Sequence, residues 1–386
     1  MAIVDRVDGG YLLDHELYLE QTYQSTVVGD LAISYKFQAS YFDLNKPHLG
    51  DGQQAAVSDS TEYEPKKKRC RRRRHKRKSP FNHGEVEARE YHDEIKDRLF
   101  AVTLRLCQTL KGNKSLKPSK GNERLHDLKN AVFLQLSSDL GLHSNSISSV
   151  SPSKLNAGLS NPCSYSSMIK IDDSFYLLPP HSKAFSSDVS DLSALIKDCE
   201  LFGKYNCIVL DPPWENKSVR RGHKYRSLPF DKIASIPLHK LCASECLVVI
   251  WVTNKQKIMK WVRNVLFPRW NICYLAQWHW VKVTTNGIPV FPWESLHKKP
   301  YETIFLGHYL CKNHQHSIKE NVICSVPCMV HSHKPPLYEV IKNSLMEVAN
   351  PRCLEMFARS LSPSWSSWGN EVVKLQNISY FCDGSS

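Results

Sequence analysis

Short apolar runs alternate with helical patterns over the C-terminal part of the chain, from about residue 167 onward. Apolar runs of about four to eight residues are typical of buried strands, and apolar positions at i, i+3, i+4 and i+7 are typical of helices. The alternation predicts an α/β fold with a mostly parallel sheet and helices on both faces. The predicted strands are Asn206–Leu210, Cys246–Val252, Ala276–Val283, Glu302–Leu306, Val322–Val330 and Cys353–Phe357.

Two amphipathic patterns follow these strands. Thr253 or Asn254 can cap a helix that carries apolar residues at positions 258, 261, 262, 265 and 266. Pro335 and Pro336 suit the first turn of another helix, with apolar residues at 337, 340, 341, 345 and 348. In sheets of this kind ligands bind outside the carboxyl ends of the strands, so that edge is the predicted location of a site.

The N-terminal part of the chain carries weaker patterns. Residues 1–60 show no clear period, whereas Glu85–Gly112 has apolar residues at helical spacing and ends on a glycine. Residues 113–166 are rich in Ser, Asn and Lys, which predicts a flexible linker with one short helix near Asp127–Leu136. We therefore divide the chain into an N-terminal region (1–84), a helical segment with a linker (85–166) and an α/β domain (167–386).

Positive charge is concentrated in one tract. The net charge of the chain is +13, and eleven of the thirteen residues of Lys66–Lys78 are Lys or Arg. Such a run repels itself and buries no apolar surface, so we expect it to be disordered. The tract suits a nuclear localisation signal, a nucleic-acid tether or both. We therefore expect a nuclear protein, and some cytoplasmic or mitochondrial presence is compatible with the sequence.

Composition argues against membrane and metal proteins. The longest apolar run, Cys246–Val252, has seven residues, whereas a membrane-spanning helix needs about 20. Acidic residues near the N-terminus interrupt any secretory signal, so we expect the thirteen cysteines to be reduced and mostly buried. Cys324, Cys328, His331 and His333 are of the types that bind zinc, but their spacing is tighter than in ordinary structural sites. We predict neither a membrane contact nor a metal.

A distinctive tetrapeptide follows the first predicted strand. Asn206–Leu210 leads directly into Asp211-Pro212-Pro213-Trp214, so these residues lie at a carboxyl edge. The two prolines fix the backbone and offer carbonyls without competing N–H groups. The Asp211 carboxylate and the Pro212 carbonyl can accept the two N–H groups of an exocyclic amine, which turns the nitrogen lone pair toward an electrophile. A base stacked on Trp214 gains about 1–3 kcal/mol. The alternative is an ordinary turn with a core tryptophan.

Cations dominate the loop after the tetrapeptide. Lys and Arg side chains beside a Tyr suit contacts with phosphates and a base, and the alternative is a solvated basic loop. A second loop, Ser295–Tyr301, is expected to frame the substrate from the other side. The predicted substrate-binding residues are Trp214, Lys217, Arg220, Arg221, Lys224, Tyr225 and Arg226.

The tetrapeptide resembles the (D/N)PP(Y/F/W) motif of S-adenosylmethionine-dependent amino-methyltransferases, and its Trp form resembles the MT-A family of adenine-N6 methyltransferases. Further segments between about 175 and 381 resemble one branch of that family: LLPP, DPPWENKSV, WVTN, WHWVKV, HKKPYE, HSHKPPL and LEMFAR…WGNEV. The resemblance implies a Rossmann-like methyltransferase fold with permuted strand order, in which the DPPW strand precedes the cofactor strand. Residues 167–386 are then the catalytic domain.

The resemblance also implies S-adenosylmethionine as the cofactor. By motif match, CLEMFAR replaces the usual Gly-rich cofactor strand, and Glu371 stands where Gln is common. Neither a metal nor a general base is required, because positioning supplies most of the acceleration. The implied catalytic residues are Asp211, Pro212, Pro213 and Trp214. The implied cofactor-binding residues are Asp188, Val189, Asp211, Lys299, Arg359, Asn370 and Glu371.

The favoured interpretation is N6-adenine methylation of RNA. The family branch implies small nuclear RNA, with a target adenosine that is already 2′-O-methylated, and DNA adenine is the nearest alternative. A non-catalytic nucleic-acid adaptor is a second alternative, against which the intact DPPW motif argues. Methylation of protein glutamine is a third, against which the Trp form and the basic loops argue. Nucleic acid is the expected partner, and the sequence requires no protein partner.

Overall fold

The computed structural model describes residues 2–29, 31–48, 83–112, 147–215, 227–295, 298–311, 318–345 and 348–384. The basic tract and the predicted helix near Asp127–Leu136 lie outside these ranges.

The described strands are numbered in chain order. They are β1 Ile3–Val7, β2 Gly10–Leu13, β3 Thr26–Val28, β4 Leu31–Ile33, β5 Tyr35–Phe37, β6 Ser149–Val150, β7 Leu159–Ser160, β8 Ser166–Ile171, β9 Ser174–Leu178, β10 Lys183–Phe185, β11 Tyr205–Leu210, β12 Cys242–Val252, β13 Ile272–Lys282, β14 Tyr301–Tyr309, β15 Val322–Ser325, β16 Cys353–Met356, β17 Trp365–Trp368 and β18 Phe381–Asp383.

The described α-helices are α1 His15–Tyr23, α2 His83–Gly112, α3 Pro152–Gly158, α4 Ser193–Phe202, α5 Phe230–Ala234, α6 Leu238–Leu241, α7 Gln256–Trp261, α8 Phe267–Arg269 and α9 Tyr338–Ile341. A π-helical turn, Val262–Leu266, joins α7 to α8. Single 3₁₀ turns occupy Ala39–Tyr41, Lys342–Ser344, Lys374–Gln376 and Ile378–Tyr380.

One mixed sheet of eleven strands forms the centre of the molecule, in the order β1-β2-β15-β13-β14-β12-β11-β16-β17-β10-β7. The strands from β12 to β10 run parallel to their neighbours. By contrast, β14 runs antiparallel to both β12 and β13. The predicted α/β fold is confirmed. Parallel pairs also join β13 to β15 and β15 to β2, and the sheet is mixed because β14 and the edge strands β1 and β7 pair antiparallel.

The strand order is permuted in the way the resemblance implies. β11, which leads into Asp211, comes before β16 in the chain, yet the two strands are neighbours in the sheet. β12 lies on the far side of β11, whereas β17 and β10 lie on the far side of β16. The connections therefore leave β11 and β16 in opposite directions. Such a switch point opens a crevice at the carboxyl ends of the two strands.

Helices cover both faces of the sheet because β11 and β12 are apolar on both sides, as buried parallel strands are. Ile208 and Leu210 face a core that includes side chains from α4, α5, α6 and α7. Cys207 and Val209 face the opposite core, which includes Val340 and Ile341 of α9. β11 and β12 confirm the predicted strands Asn206–Leu210 and Cys246–Val252, and α7 with its π-helical turn confirms the helix predicted over 258–266. This helix follows Lys255 without a side-chain cap, so the cap predicted at Thr253 or Asn254 is wrong.

Helix α2 confirms the predicted helix at Glu85–Gly112. Its side chains Leu99, Val102 and Leu106 are buried against β2 and β15. The fit is close, since a Cβ on Gly10 of β2 would lie 2.6 Å from a methyl group of Val102. The helix is therefore an integral layer of the fold.

The N-terminal residues are built into the same structure. β1 and β2 extend the large sheet through the parallel pairing of Gly10 with Val322. β3 and β4 join β6, β8 and β9 in a second sheet, and β5 pairs with the C-terminal β18. The division at 84 and 166 stays a prediction, and segments from all three parts pack together in the described residues.

Two elements are shorter than predicted. β15 ends at Ser325 rather than at Val330, because Pro327 lacks the N–H that a sheet ladder needs. The helix after Pro336 extends only over α9 and one 3₁₀ turn, and the backbone at Leu345 is then extended.

Within the described ranges no helix is both long and apolar enough to cross a membrane. The same ranges contain no group of three or more His, Cys, Asp or Glu side chains arranged to hold a metal ion.

Candidate active site

A cavity of about 680 Å³ opens at the carboxyl edge of the sheet, where the strand order switches. Asp211 follows β11, and Phe357 follows β16, and both line this cavity. A second cavity of about 590 Å³ lies beside it, and Asn370 lines both. Sheet topology therefore brings the DPPW tetrapeptide and the LEMFAR segment to one site.

The Asp211 carboxylate is held from the side of the HSHKPPL segment. Ser332 Oγ donates a hydrogen bond of 2.9 Å to Asp211 Oδ2, and Lys334 Nζ lies 3.5 Å from the same oxygen. The Asp211 N–H donates to the Met356 carbonyl of β16 at 3.3 Å. Both the backbone and one carboxylate oxygen are thus fixed. The other oxygen, Oδ1, is the one that can accept a substrate N–H.

The tetrapeptide backbone closes into a tight turn. The Trp214 N–H donates to the Pro212 carbonyl at 2.8 Å, and the Leu228 N–H donates to the Pro213 carbonyl at 2.9 Å. A carbonyl oxygen has two lone pairs, so Pro212 can accept one more donor. This is the second acceptor that the predicted amine site requires.

Trp214 is a fixed wall of the cavity. It is 5% exposed, and its Nε1 donates to the Trp251 carbonyl at 2.8 Å. Its ring lies edge-on to Phe230 and to Trp261, with interplanar angles of 71° and 77°. The indole therefore combines a core position with a place in the cavity lining, and the predicted stacking role and the core alternative are not exclusive.

A chain of ion pairs runs from the cavity into β13 and β14, and the sequence reasoning did not find it. Glu302 Oε1 pairs with Lys282 Nζ at 2.5 Å, and Glu302 Oε2 pairs with Lys334 Nζ at 2.7 Å. Lys334 also lies over the Trp251 ring, 5.0 Å from its centroid. Lys334 therefore joins Glu302 to Asp211 inside the site.

Opposite charges keep the side chains of Glu302 and Lys334 ionised. Burial alone would raise the pKa of Glu302, but Lys334 and Lys282 outweigh it and hold the pKa well below its usual range. Burial alone would lower the pKa of Lys334, but Asp211 and Glu302 outweigh it and raise the pKa above its usual value. A charged residue near the start of the strand sequence YETIFL was the feature of the sequence that could have identified Glu302.

Glu355 of β16 is a further carboxyl at this site that the sequence reasoning missed. Burial raises the pKa of Glu355 to about 7; the neighbouring Asp211 charge adds to the rise and Lys334 opposes it. The group is therefore protonated in weakly acidic solution while Asp211 is held by Lys334 and Ser332.

We expect Glu355→Gln to flatten the pH dependence of stability. The folded-state pKa lies above the usual value of 4.5, so wild-type stability from this group is full below about pH 4.5 and is lost as the pH rises through about 7. Gln resembles the protonated acid, so the variant should match wild type near pH 4 and exceed it by about 2–3 kcal/mol at pH 8. Urea unfolding at both pH values measures this. Equal profiles would contradict it, and Glu200→Gln on the exposed face of α4 is the control.

Arg359 lines the first cavity. Its Nη1 donates to the His331 carbonyl at 2.9 Å, and its Nη2 pairs with Glu371 Oε2 at 3.1 Å. Its Nε is buried and has no hydrogen-bond partner among the described residues. A buried donor without a partner is costly, and because this one lies in a residue that lines the cavity, it is available to a bound ligand.

The end of β16 is shaped by two unusual backbone positions. Phe357 has a φ of 64°, which is uncommon for an aromatic residue. The next residue, Ala358, donates to the Trp368 carbonyl at 2.9 Å. A Cβ on Gly369 would lie 2.6 Å from the Ala358 carbonyl, so only glycine fits. This packing directs Arg359 and Asn370 toward the cavities.

The second cavity is polar and lies at the end of β10 and the start of α4. Asp188 lines it, and its Oδ1 accepts from the Ser190 N–H and hydroxyl at 3.1 and 3.0 Å. Val189 packs against the adjoining core. Asn156 of α3 contributes from the other side, so the N-terminal half of the described chain also reaches this cavity.

Most of the described residues predicted for the site come together. The first cavity is lined by Asp211, Pro212, Pro213, Trp214, Arg359, Asn370 and Glu371, and the second by Asp188 and Asn370. Lys299 is not among the residues that line either cavity, and its Nζ donates to the Ser295 carbonyl at 2.8 Å. Lys282 and Lys334 are instead the lysines that line the first cavity, and Lys334 is the one beside Asp211.

The predicted substrate-binding residues of the loop after Trp214 lie outside the described part of the chain. They are Lys217, Arg220, Arg221, Lys224, Tyr225 and Arg226.

Comparison with known proteins adds a family match. The profile of the MT-A70 family matches residues 205–371, a span that runs from β11 to Glu371. The chain is 35% identical over 385 residues to the N(6)-adenine-specific methyltransferase METTL4 of Mus musculus, covering 90% of this chain and 80% of the relative.

Two more distant relatives match over about half of the chain. The DNA N6-methyl methyltransferase of Caenorhabditis elegans is 32% identical over 212 residues, which are 54% of this chain and 56% of the relative. The N6-methyladenosine RNA methyltransferase MTA1 of Pyricularia oryzae is 31% identical over 215 residues, which are 53% of this chain and 56% of the relative.

Proposed function

Since the chain belongs to the MT-A70 family of adenine-N6 methyltransferases, we propose that it methylates the N6 atom of adenosine in RNA. The observation that carries the proposal is the Asp211 carboxylate, fixed on one oxygen at the switch point of the sheet and facing a cavity of about 680 Å³. The RNA relative supports this choice of nucleic acid. The motifs shared with one branch of the family further support small nuclear RNA with a 2′-O-methylated target adenosine.

The donor set of the two cavities fits S-adenosylmethionine, which supplies an electrophilic methyl group on a positively charged sulfur. Asp188 and Asn370 offer polar partners for a nucleoside, and Arg359 has a buried Nε that needs an acceptor. Glu371 accepts from Arg359 and from Lys374, so it acts here as an acceptor where glutamine would also donate. We propose these residues, with Val189, as the cofactor-binding residues.

The chain's own residues position the amine. Asp211 Oδ1 and the free lone pair of the Pro212 carbonyl accept the two N–H groups of the adenine amine. Positive charge develops on N6 during transfer, and the Asp211 carboxylate stabilises it. Lys334 and Ser332 hold Oδ2 and prevent the carboxylate from rotating away. The lone pair of the amine therefore stays aimed at the methyl group, and positioning lowers the barrier.

One experiment tests the substrate assignment directly. Short oligonucleotides of one base sequence are offered as RNA, as RNA with a 2′-O-methylated adenosine and as DNA, together with isotope-labelled S-adenosylmethionine. Nucleoside mass spectrometry then measures the labelled N6-methyl product. We expect the 2′-O-methylated RNA to be methylated fastest. A faster reaction of the DNA would replace the proposal by the DNA alternative, which the Caenorhabditis relative favours.

We expect the basic tract to act on localisation and affinity rather than on chemistry. Replacing Lys66–Lys78 by a Gly/Ser linker of equal length removes eleven cations. Cells should then show a lower nuclear fraction, and the Kd for RNA should rise on the order of tenfold with a flatter salt dependence, because fewer counterions are released. The rate at saturating RNA should stay unchanged. Unaltered localisation and salt slope would show that the tract is a solvated segment without either role.

A further inference from the structure

Helix α7 begins at the rim of the first cavity. Thr253 and Asn254 line the cavity, and α7 follows from Gln256. The segment Lys255–Trp270 contains five Lys or Arg residues and no Asp or Glu. A cationic element thus leads away from the place where the target base is held.

Three of these cations share one exposed side of the continuous helical segment formed by α7 and the π-helical turn that follows it. Lys257, Lys260 and Arg263 are all exposed and follow each other at a spacing of three residues, which places them in one row on a helix surface. Ile258 and Met259, on the other side, are buried in the core. The row is therefore anchored by an apolar face and presents its charges outward.

An aromatic pair connects the row to the cavity. The Phe230 and Trp261 rings stack with centroids 4.4 Å apart and planes within 14°, and both residues are half-buried. Both rings touch Trp214, which lines the cavity. Lys257 Nζ lies 6.0 Å from the Phe230 ring centroid. Cations and aromatic rings thus form one continuous surface up to the cavity wall.

We propose that this surface, the α7 face, binds the phosphate backbone and a base of the substrate strand beside the target adenine. We define it as Lys257, Lys260, Arg263, Phe230 and Trp261. The proposal rests on the proposed function, because an adenine whose N6 reaches Asp211 must leave the stack. Its flanking phosphates then lie at the rim, where a row of cations without acidic neighbours in its own segment complements them.

The backbone near the tetrapeptide is tied to the same helix. Lys255 Nζ donates to the Glu215 carbonyl at 2.7 Å, directly after Trp214. A strand bound along the α7 face is therefore held in a fixed relation to the amine site. Each residue of this face therefore contacts a nucleotide at a fixed distance along the strand from the target adenine.

The test compares two triple variants of equal charge change. In the first, Lys257, Lys260 and Arg263 are replaced by Gln; in the control, Lys170, Lys197 and Lys319, which line neither cavity, are replaced by Gln. Kd for a fluorescent single-stranded RNA is measured at several salt concentrations, and KM and kcat are measured for methyl transfer. We expect the α7 variant to raise Kd and KM on the order of tenfold and to lower the salt slope by about 2, at 0.7 for each lost phosphate contact. Its kcat should stay within about twofold of wild type, because none of the three residues touches the reacting atoms.

The outcomes separate the two proposals. If wild type methylates RNA and both triple variants bind alike, the α7 face is overturned and the proposed function stands. If wild type methylates no nucleic acid while the α7 variant alone loses affinity, the proposed function fails and the binding surface stands. Normal circular dichroism and melting temperature confirm that the variants are folded.

A single substitution that is expected to strengthen RNA binding gives an independent test. Glu87 of α2 pairs with Lys260 at 2.8 Å and competes with a phosphate for that ammonium group. Glu87→Gln should therefore tighten RNA binding several-fold more than Glu94→Gln, which removes an equal charge from an exposed position further along α2. Equal affinities of the two variants would remove Lys260 from the proposed surface.

Discussion

The variant Asp211→Asn should lose methyl transfer by a hundred- to a thousandfold, the range typical of a missing group that stabilises charge in the transition state. Asn keeps the shape of the side chain, but its amide is neutral and turns a donor toward either the amine or Ser332. Ser332 already donates to Asp211 Oδ2 at 2.9 Å. The amide oxygen is therefore drawn toward Ser332 and Lys334, and its NH₂ group opposes the N–H groups of the adenine.

The readout is the single-turnover rate with saturating RNA and labelled S-adenosylmethionine. Calorimetric titration of S-adenosylmethionine should give a Kd within a few-fold of wild type, since Arg359, Asn370 and Asp188 remain. Asp173→Asn is the matched control, because Asp173 is fully exposed on the turn between β8 and β9. A rate for Asp211→Asn within a few-fold of wild type would contradict the assignment of Asp211 as a catalytic residue. It would then show that methyl transfer does not depend on the Asp211 carboxylate, whereas the adaptor alternative would require that wild type shows no methyl transfer.

The position of the site was predictable because it depends on local sequence. β11 and β12 are buried on both faces, so each contains a continuous apolar run, and β16 is a short apolar strand interrupted by Glu355. A tetrapeptide directly after such a run must lie at the carboxyl edge, and the structure places Asp211 there beside Phe357. The same reasoning finds α2, whose apolar positions follow the helical period.

The rest depends on contacts between distant segments. β1 to β5 have three to five residues each and gain their stability from pairing partners far along the chain, as Gly10 with Val322. Lys282, Glu302 and Lys334 meet only because β13 and β14 pair and the HSHKPPL segment folds over them. No spacing rule links three charges so far apart. Lys299 is closer to Glu302 in sequence, yet Lys282 and Lys334 are the lysines that line the cavity.

Replacing Lys334 by Met should be the most destabilising single change at the site. Lys334 separates Glu302 from Asp211, and its removal leaves two carboxylates in one partly buried cluster with only Lys282 beside them. Removing one partner of a buried ion pair costs about 3–5 kcal/mol, and we expect about 3 kcal/mol at pH 7 because Glu302 and Asp211 both line the cavity. The rate of methyl transfer should also fall in this variant, since the Asp211 side chain loses a positioning contact.

The pH dependence distinguishes lost charge pairing from lost packing. In wild type the lowered pKa of Glu302 contributes stability that is present above its usual value of 4.5 and is lost as the pH falls through the lowered pKa. In Lys334→Met that contribution shrinks, so the difference in unfolding free energy between the two proteins should be largest near pH 7 and smaller near pH 4. Urea unfolding at both pH values measures it. Lys342→Met breaks the partly exposed pair with Glu339, 2.8 Å long, and should cost less than about 1 kcal/mol. A Lys334→Met difference that is equal at both pH values would show that the lysine stabilises the fold through its aliphatic stem against Trp251 rather than through its charge.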